Sequence, residues 1–395
     1  MRGPVGVARS KRVTVLTFGC VVSLGIAGCS NTISGTATRT SDQPVTTTNG
    51  SAYSVQNALA TLPSHEDDEP LTVVTADLDA ATAQAGIQRP TTLDDQDALV
   101  TWLYPLGGVP IDGAEPAPVF VPFAMGFRVE NLLNSTMLPF DEEVGWSVLD
   151  AETFAERQTL PALFTVVAGD FDSSTFPYDL VEVADGVVTA GEGDDFAQDL
   201  LNQTAARPLG IPLRMALEAP YLAAARSTDE ISAWLDGSTE TLAGDVELSA
   251  VAGALDDAGV VAAVLTSGLT RSLGDQVTSA AALEKLKSEL AGAIPTDPFT
   301  TVGIGWAAED GEPVITVAYK FATDEAASDA VPGFEKMFAE APSIVSSTPL
   351  SELYSLQEAK NDGSVTILTL APGDAGDVSQ IYEAMLQYDL PFVYE

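Results

Sequence analysis

Residues 71–77 read Leu-Thr-Val-Val-Thr-Ala-Asp, and residues 164–170 read Phe-Thr-Val-Val-Ala-Gly-Asp. Each is an apolar, β-branched run ending in an acid, the pattern of a buried strand. The likeness continues beyond the strand ends. LTVVTADLDAAT (71–82) and FTVVAGDFDSST (164–175) share the Thr-Val-Val, an Asp-x-Asp pair and the final Thr. The pattern predicts a strand–Asp-x-Asp–helix unit written twice in the N-terminal half. The candidate residues are Asp77 and Asp79 in the first copy, and Asp170 and Asp172 in the second.

After the first copy, AATAQAG predicts a short helix stopped by Gly86, and LDDQDALVTWLYPL a helix opening near Asp94 or Asp95. Further on, YDLVEVADGVVTAG predicts two strands joined at Asp185-Gly186, and MALEAPYLAAA a strand pair turned at Ala219-Pro220. STDEISAWLDG predicts a helix capped by Ser227 or Thr228, boxed by Glu230 and stopped at Gly237. SAVAGALDDAGVVAAVLTSG reads as a helix followed by a strand, and SAAALEKLKSELAGA as a helix ending at Gly292.

From Thr300 the alternation is plainer. Two strands meet at Asp310-Gly311, a hairpin signal. A helix interrupted at Pro332-Gly333 follows, then strands on either side of Asn361-Asp362-Gly363, and last an amphipathic helix in DVSQIYEAMLQYD. The order β-β-α-β-β-α and the lack of regular β-α alternation predict an α+β protein, with helices packed on antiparallel sheets. Gly303 and Gly305 in VGIGW fall inside a strand, where they allow close packing. Trp102, Trp146, Trp234 and Trp306 are widely spread, as core residues are.

The first thirty residues break the pattern. Arg2, Arg9, Lys11 and Arg12 precede a mostly apolar run from Val13 to Ile26, too short to span a bilayer at roughly 20 residues per transmembrane helix. The run closes on Ile26-Ala27-Gly28-Cys29, which resembles the lipobox of bacterial lipoproteins. That resemblance implies acylation of the Cys29 thiol and cleavage just before it. It implies anchorage to the lipid bilayer on the extracytoplasmic face of the cell membrane. With its Ser/Thr-rich linker and Ala/Asp/Val-rich body, the chain resembles the lipoproteins of high-GC Gram-positive bacteria. Cys20 falls in the discarded segment, so no disulfide or thiolate metal site is expected. The expected organisation is a signal peptide (1–28), a flexible tether (29–69), an α+β domain with the repeat (70–293) and an α+β C-terminal domain (294–395).

Charge narrows the partners. Seventeen Lys plus Arg stand against 57 Asp plus Glu. Removing four cations with the signal leaves 17 − 4 = 13, a mature net charge of 13 − 57 = −44. Nucleic acid, which requires a basic footprint, is excluded. The sole histidine, His65, sits beside the tether, so no Ser-His-Asp or multi-His zinc arrangement is expected.

An apolar strand followed by Asp-x-Asp resembles the first motif of the haloacid dehalogenase phosphatases, in which the first Asp is a nucleophile and the second a general acid near Mg²⁺. Here Thr82 and Thr175 stand three places after the second Asp rather than two, and duplication is foreign to that fold. Calcium would find carboxylates at alternate positions, yet neither copy carries the Gly at position 6 or the Glu at position 12 of an EF-hand. The favoured expectation is structural: Asp79 and Asp172 cap helices, while Asp77 and Asp170 bond backbone in the turn. Taken together, a non-enzymatic binding or structural lipoprotein without a cofactor is expected, its partner an envelope protein or a small molecule. The alternatives are a solute- or cation-binding lipoprotein using the Asp pairs and, third, a hydrolase.

Overall fold

The computed structural model describes residues 53–64, 70–132, 138–276 and 279–395. Ile26, Ala27, Gly28, Cys29, the tether up to residue 52 and His65 lie outside the described residues. The protein is α+β, as the pattern predicts, and twelve of its strands join in one large antiparallel sheet.

The N-terminal strands are β1 (Leu71–Asp77), β2 (Thr153–Thr159), β3 (Ala162–Ala168), β4 (Val181–Ala184), β5 (Val187–Ala190), β6 (Leu213–Glu218) and β7 (Tyr221–Ala225). The C-terminal ones are β8 (Ala262–Ser267), β9 (Arg271–Ser272), β10 (Phe299–Glu309), β11 (Glu312–Phe321), β12 (Tyr354–Asp362), β13 (Val365–Pro372) and β14 (Val393–Tyr394). Across the sheet the order is β12-β13-β11-β10-β8-β1-β2-β3-β7-β6-β5-β4, while β9 and β14 form a separate parallel pair.

That order contains a duplication that the sequence repeat does not announce. From the centre outward, one side reads β1, β2, β3, β7, β6 and the other β8, β10, β11, β13, β12. Each half lays down a strand, a helical connection, a hairpin, a second connection and a second hairpin. The halves meet where β1 pairs antiparallel with β8, Val74 opposite Val264, as a two-fold axis normal to the sheet would arrange them. Because β8 also pairs with β10, the sheet runs unbroken across the expected boundary at 293/294.

Helices cover both faces. On one lie α1 (Val55–Thr61), α6 (Thr228–Leu235) and α7 (Val246–Asp257), which contribute Leu59, Trp234 and Val251 to a core with Val73, Phe164 and Leu265. On the other, the β1–β2 connection carries α2 (Leu78–Gln84), α3 (Gln96–Leu106), α4 (Val129–Leu132) and α5 (Phe140–Val144). The same face receives α8 (Leu273–Gln276) and α9 (Ala280–Glu289) from the β8–β10 connection. It also receives α10 (Asp324–Glu340), α11 (Leu350–Leu353) and, after β13, α12 (Gln380–Leu386). Burial on both faces explains why β1, β3 and β8 are nearly continuous apolar runs. All these covering elements come from residues after 52.

Three local expectations change. α1 lies in the expected tether, where Val55, Leu59 and Leu62 are fully buried and the Asp256 carboxylate accepts from the Gln56 N–H at 3.1 Å. α10 runs straight through Pro332. Losing a helical hydrogen bond there costs about 3 kcal/mol, but Phe334, Met337 and Phe338 are buried on that helix, at about 1.5–3 kcal/mol for each large side chain. The third change concerns β3, which leads into a turn, so the second copy of the repeated phrase carries no helix.

The glycines of VGIGW do allow close packing. A Cβ on Gly303 would fall 2.4 Å from Val251 Cγ1 of α7, and one on Gly305 the same distance from Val260 Cγ1. Gly303→Ala is therefore expected to destabilise the protein by about 1–3 kcal/mol through overpacking, read as a lower urea midpoint at unchanged m-value.

Candidate functional site

β2 carries the sequence Glu156-Arg157 at the middle of the sheet, and pleating sends the two side chains to opposite faces. Glu156 is fully buried. Its carboxylate accepts from Met125 N (2.8 Å), Gly126 N (2.7 Å), Thr165 Oγ1 (2.7 Å) and Gln158 Nε2 (2.8 Å). Burial pushes its pKa up, against the pull of those four donors. Position 126 admits only glycine, since a Cβ there would lie 2.2 Å from Thr165 Oγ1. On the other face Arg157 donates to the carbonyls of Pro63 (3.1 Å) and Ser64 (2.9 Å), pairs with Glu230 and lies over the Phe164 ring. These are anchoring groups: each oxygen of Glu156 is already occupied by protein donors.

The repeated Asp pairs come to one end of the sheet. β1 and β3 both flank β2 and run parallel to each other, so Asp77 and Asp170 leave the sheet on the same side, beside Glu152. Asp77, not Asp79, caps α2, accepting from Ala80 N at 2.8 Å. Asp79 in the first turn pairs with Arg89 at 3.0 Å. Arg89 also donates to the Ala151 carbonyl and lies over Trp102. Asp172 caps no helix; it accepts from the Ser174 N–H (2.7 Å) and hydroxyl (2.6 Å) in an exposed turn. Burial raises the pKa of Asp77, opposed by its bond from Ala80 N–H. Burial again comes first for Glu152, followed by the charges of Asp79 and Asp170. The hydroxyl of Ser174 holds Asp172 low. Among the described residues no group of three or more His, Cys, Asp or Glu is placed to hold a metal ion.

A concave site lies elsewhere, near the seam between the halves. Gln158, Thr72, Thr266, Val302 and Tyr319 form one row across β2, β1, β8, β10 and β11. Over Thr72, Thr266 and Val302 opens a cleft of about 460 Å³, its mouth included. Phe299 and Phe392 wall it, α12 and its exit add Met385, Leu386 and Tyr388, and the β8–β9 turn adds Leu269 and Thr270. Its polar side-chain groups are hydroxyls: among the described residues no carboxylate, amine, imidazole or thiol lines it. Thr266 is 3% exposed and its hydroxyl has no hydrogen-bond partner among the described residues. Most buried polar side-chain atoms are paired, and this one lies unpaired in the floor of the cleft. Next to the cleft the guanidinium of Arg271 lies 4.1 Å from the centroid of the Tyr388 ring.

None of Thr266, Arg271 and Tyr388 stands out in the sequence. Thr266 ends an ordinary apolar strand, and Arg271 reaches Tyr388 only because β9 pairs with β14. Compared with family models, with curated proteins and with solved structures, the chain matches none of them.

Two outcomes follow from the carboxylates. Asp77→Ala is expected to lower stability by about 1 kcal/mol through loss of the cap. Asp170→Ala leaves the unfolding midpoint in place, and millimolar Ca²⁺ or Mg²⁺ shifts neither protein nor wild type in a thermal scan. The second outcome concerns pH. Glu156, Asp77 and Glu152 have raised folded-state pKa values, so their stabilising contribution is full below the unfolded carboxylate range and is lost as pH rises through the raised values. Asp172 and Asp195, which are lowered, act in the opposite sense at more acidic pH. The urea midpoint is expected to fall as pH rises above the ordinary carboxylate range, with a shallower slope in Glu156→Gln, whose amide does not titrate.

Proposed function

We propose that the protein is a lipid-anchored extracytoplasmic binding protein without enzymatic activity, which holds an apolar small molecule in the cleft over Thr72, Thr266 and Val302. The observation that carries this reading is the cleft itself, whose apolar walls surround one buried, unpartnered hydroxyl. Small-molecule sites are mostly apolar with a few placed polar groups, and the lining of this cleft has that character. Its threonines have no adjacent base among the lining residues to activate them as nucleophiles. The lipobox resemblance at Ile26-Ala27-Gly28-Cys29 supports the anchor.

Two measurements test the two parts. Metabolic labelling with an alkyne fatty acid is expected to mark the wild type and not Cys29→Ser; equal labelling would remove the anchor at Cys29. The neutral dye N-phenyl-1-naphthylamine is expected to bind the chain from residue 30 onward saturably. Leu386→Trp, which places a bulky ring at a position 57% exposed beside the cleft, is expected to abolish that binding without moving the unfolding midpoint. Unaltered dye binding in the variant would refute the cleft as the site.

A further inference from the structure

We infer that the ligand of this cleft is an amphiphile with an anionic head, a carboxylate or phosphate held by Arg271, and an apolar tail lying over Thr266 and Val302. The inference rests on the cleft being a binding site, as proposed above, and adds the chemical class of what it takes.

The first support is the scarcity of positive charge. Only 17 cationic residues stand against 57 acids in the whole chain. Most described arginines are committed: Arg89 to Asp79, Arg157 to Glu230, Arg207 to Glu143 and Arg214 to Asp195. Arg271 is exposed and makes no ion pair among the described residues. The nearby acid Asp275 accepts instead from the N–H and hydroxyl of Ser272.

The second support is orientation. Arg271 lies in β9, where pairing with Val393 of β14 fixes its backbone, and its guanidinium lies over the ring of Tyr388, a cleft residue. Stacking uses the guanidinium's face and leaves the in-plane N–H groups free for two parallel bonds to a carboxylate or phosphate. A pre-oriented fork loses less side-chain freedom on binding than a mobile one.

The third support is polarity within the cleft. Phe299, Met385, Leu386 and Phe392 offer no partner to a second charge. Arg271 at one side and apolar walls beyond it match a molecule polar at one end.

The experiment is displacement of N-phenyl-1-naphthylamine from the chain starting at residue 30. Decanoate, decyl phosphate, decanol and decyltrimethylammonium are used, each below its aggregation threshold, on wild type, Arg271→Gln and Leu386→Trp. At least one anion is expected to bind about tenfold or more tightly than decanol, in line with a charge-assisted hydrogen bond, and which one does so names the head group. Arg271→Gln is expected to erase that advantage and leave decanol unchanged. Equal binding of decanol and both anions, tightest binding of the cation, or an anion preference that survives in Arg271→Gln would each overturn the anionic-head assignment. The cleft reading would then still stand wherever Leu386→Trp blocks all ligands. Displacement indifferent to Leu386→Trp would remove the cleft, and with it this inference.

Discussion

Two adjacent charges at the centre of a twelve-stranded sheet hold its covering layers in place. Glu156 and Arg157 leave β2 on opposite faces, and neither reaches water. A buried charge without partners is strongly unfavourable, so each dictates what must come to meet it. Glu156 draws in the backbone N–H groups of Met125 and Gly126 and thereby seats the long β1–β2 connection. Arg157 draws in the carbonyls of Pro63 and Ser64 and the Glu230 carboxylate, tying α6 and the segment after α1 to the other face. The sheet is thus pinned to both of its covers from one position in its sequence.

Around that point the molecule is built twice. The seam between β1 and β8 is mostly apolar, and each half repeats the same strand order outward from it. The duplication is not symmetric in chemistry. The N-terminal half places charged Glu156 on the hairpin strand beside the seam; the corresponding strand of the other half, β10, places Val302, Ile304 and Trp306 facing the same cover. The cleft opens in that apolar setting, where α12 and the last residues of the chain lie over the sheet.

The hairpins are legible in the sequence because their turns have local causes. Asp310 and Gly311 both have positive φ, as the hairpin signal requires, and Ser227 caps α6 through a bond from Glu230 N. β2 is not legible there, since Phe-Ala-Glu-Arg-Gln offers no apolar alternation and its charges find partners far along the chain. The cap of α2 is Asp77 rather than the expected Asp79, one turn boundary displaced by two residues. A break at Pro332 was expected from local geometry, and the buried face of α10 overrode it.

The sequence by itself determined the α+β class, the position of most strands and helices, the strongly acidic charge and the lipobox resemblance at Cys29. Those are properties of neighbouring residues: periodicity, turn chemistry, composition. Tertiary structure alone decided that the two halves share one sheet, that Asp77 and Asp170 come to one end of it, and that Thr266 and Tyr388 line a common cleft with Arg271 over the Tyr388 ring. Each of those depends on strand pairing between segments far apart in the chain, and pairing partners leave no mark on the local pattern of either strand.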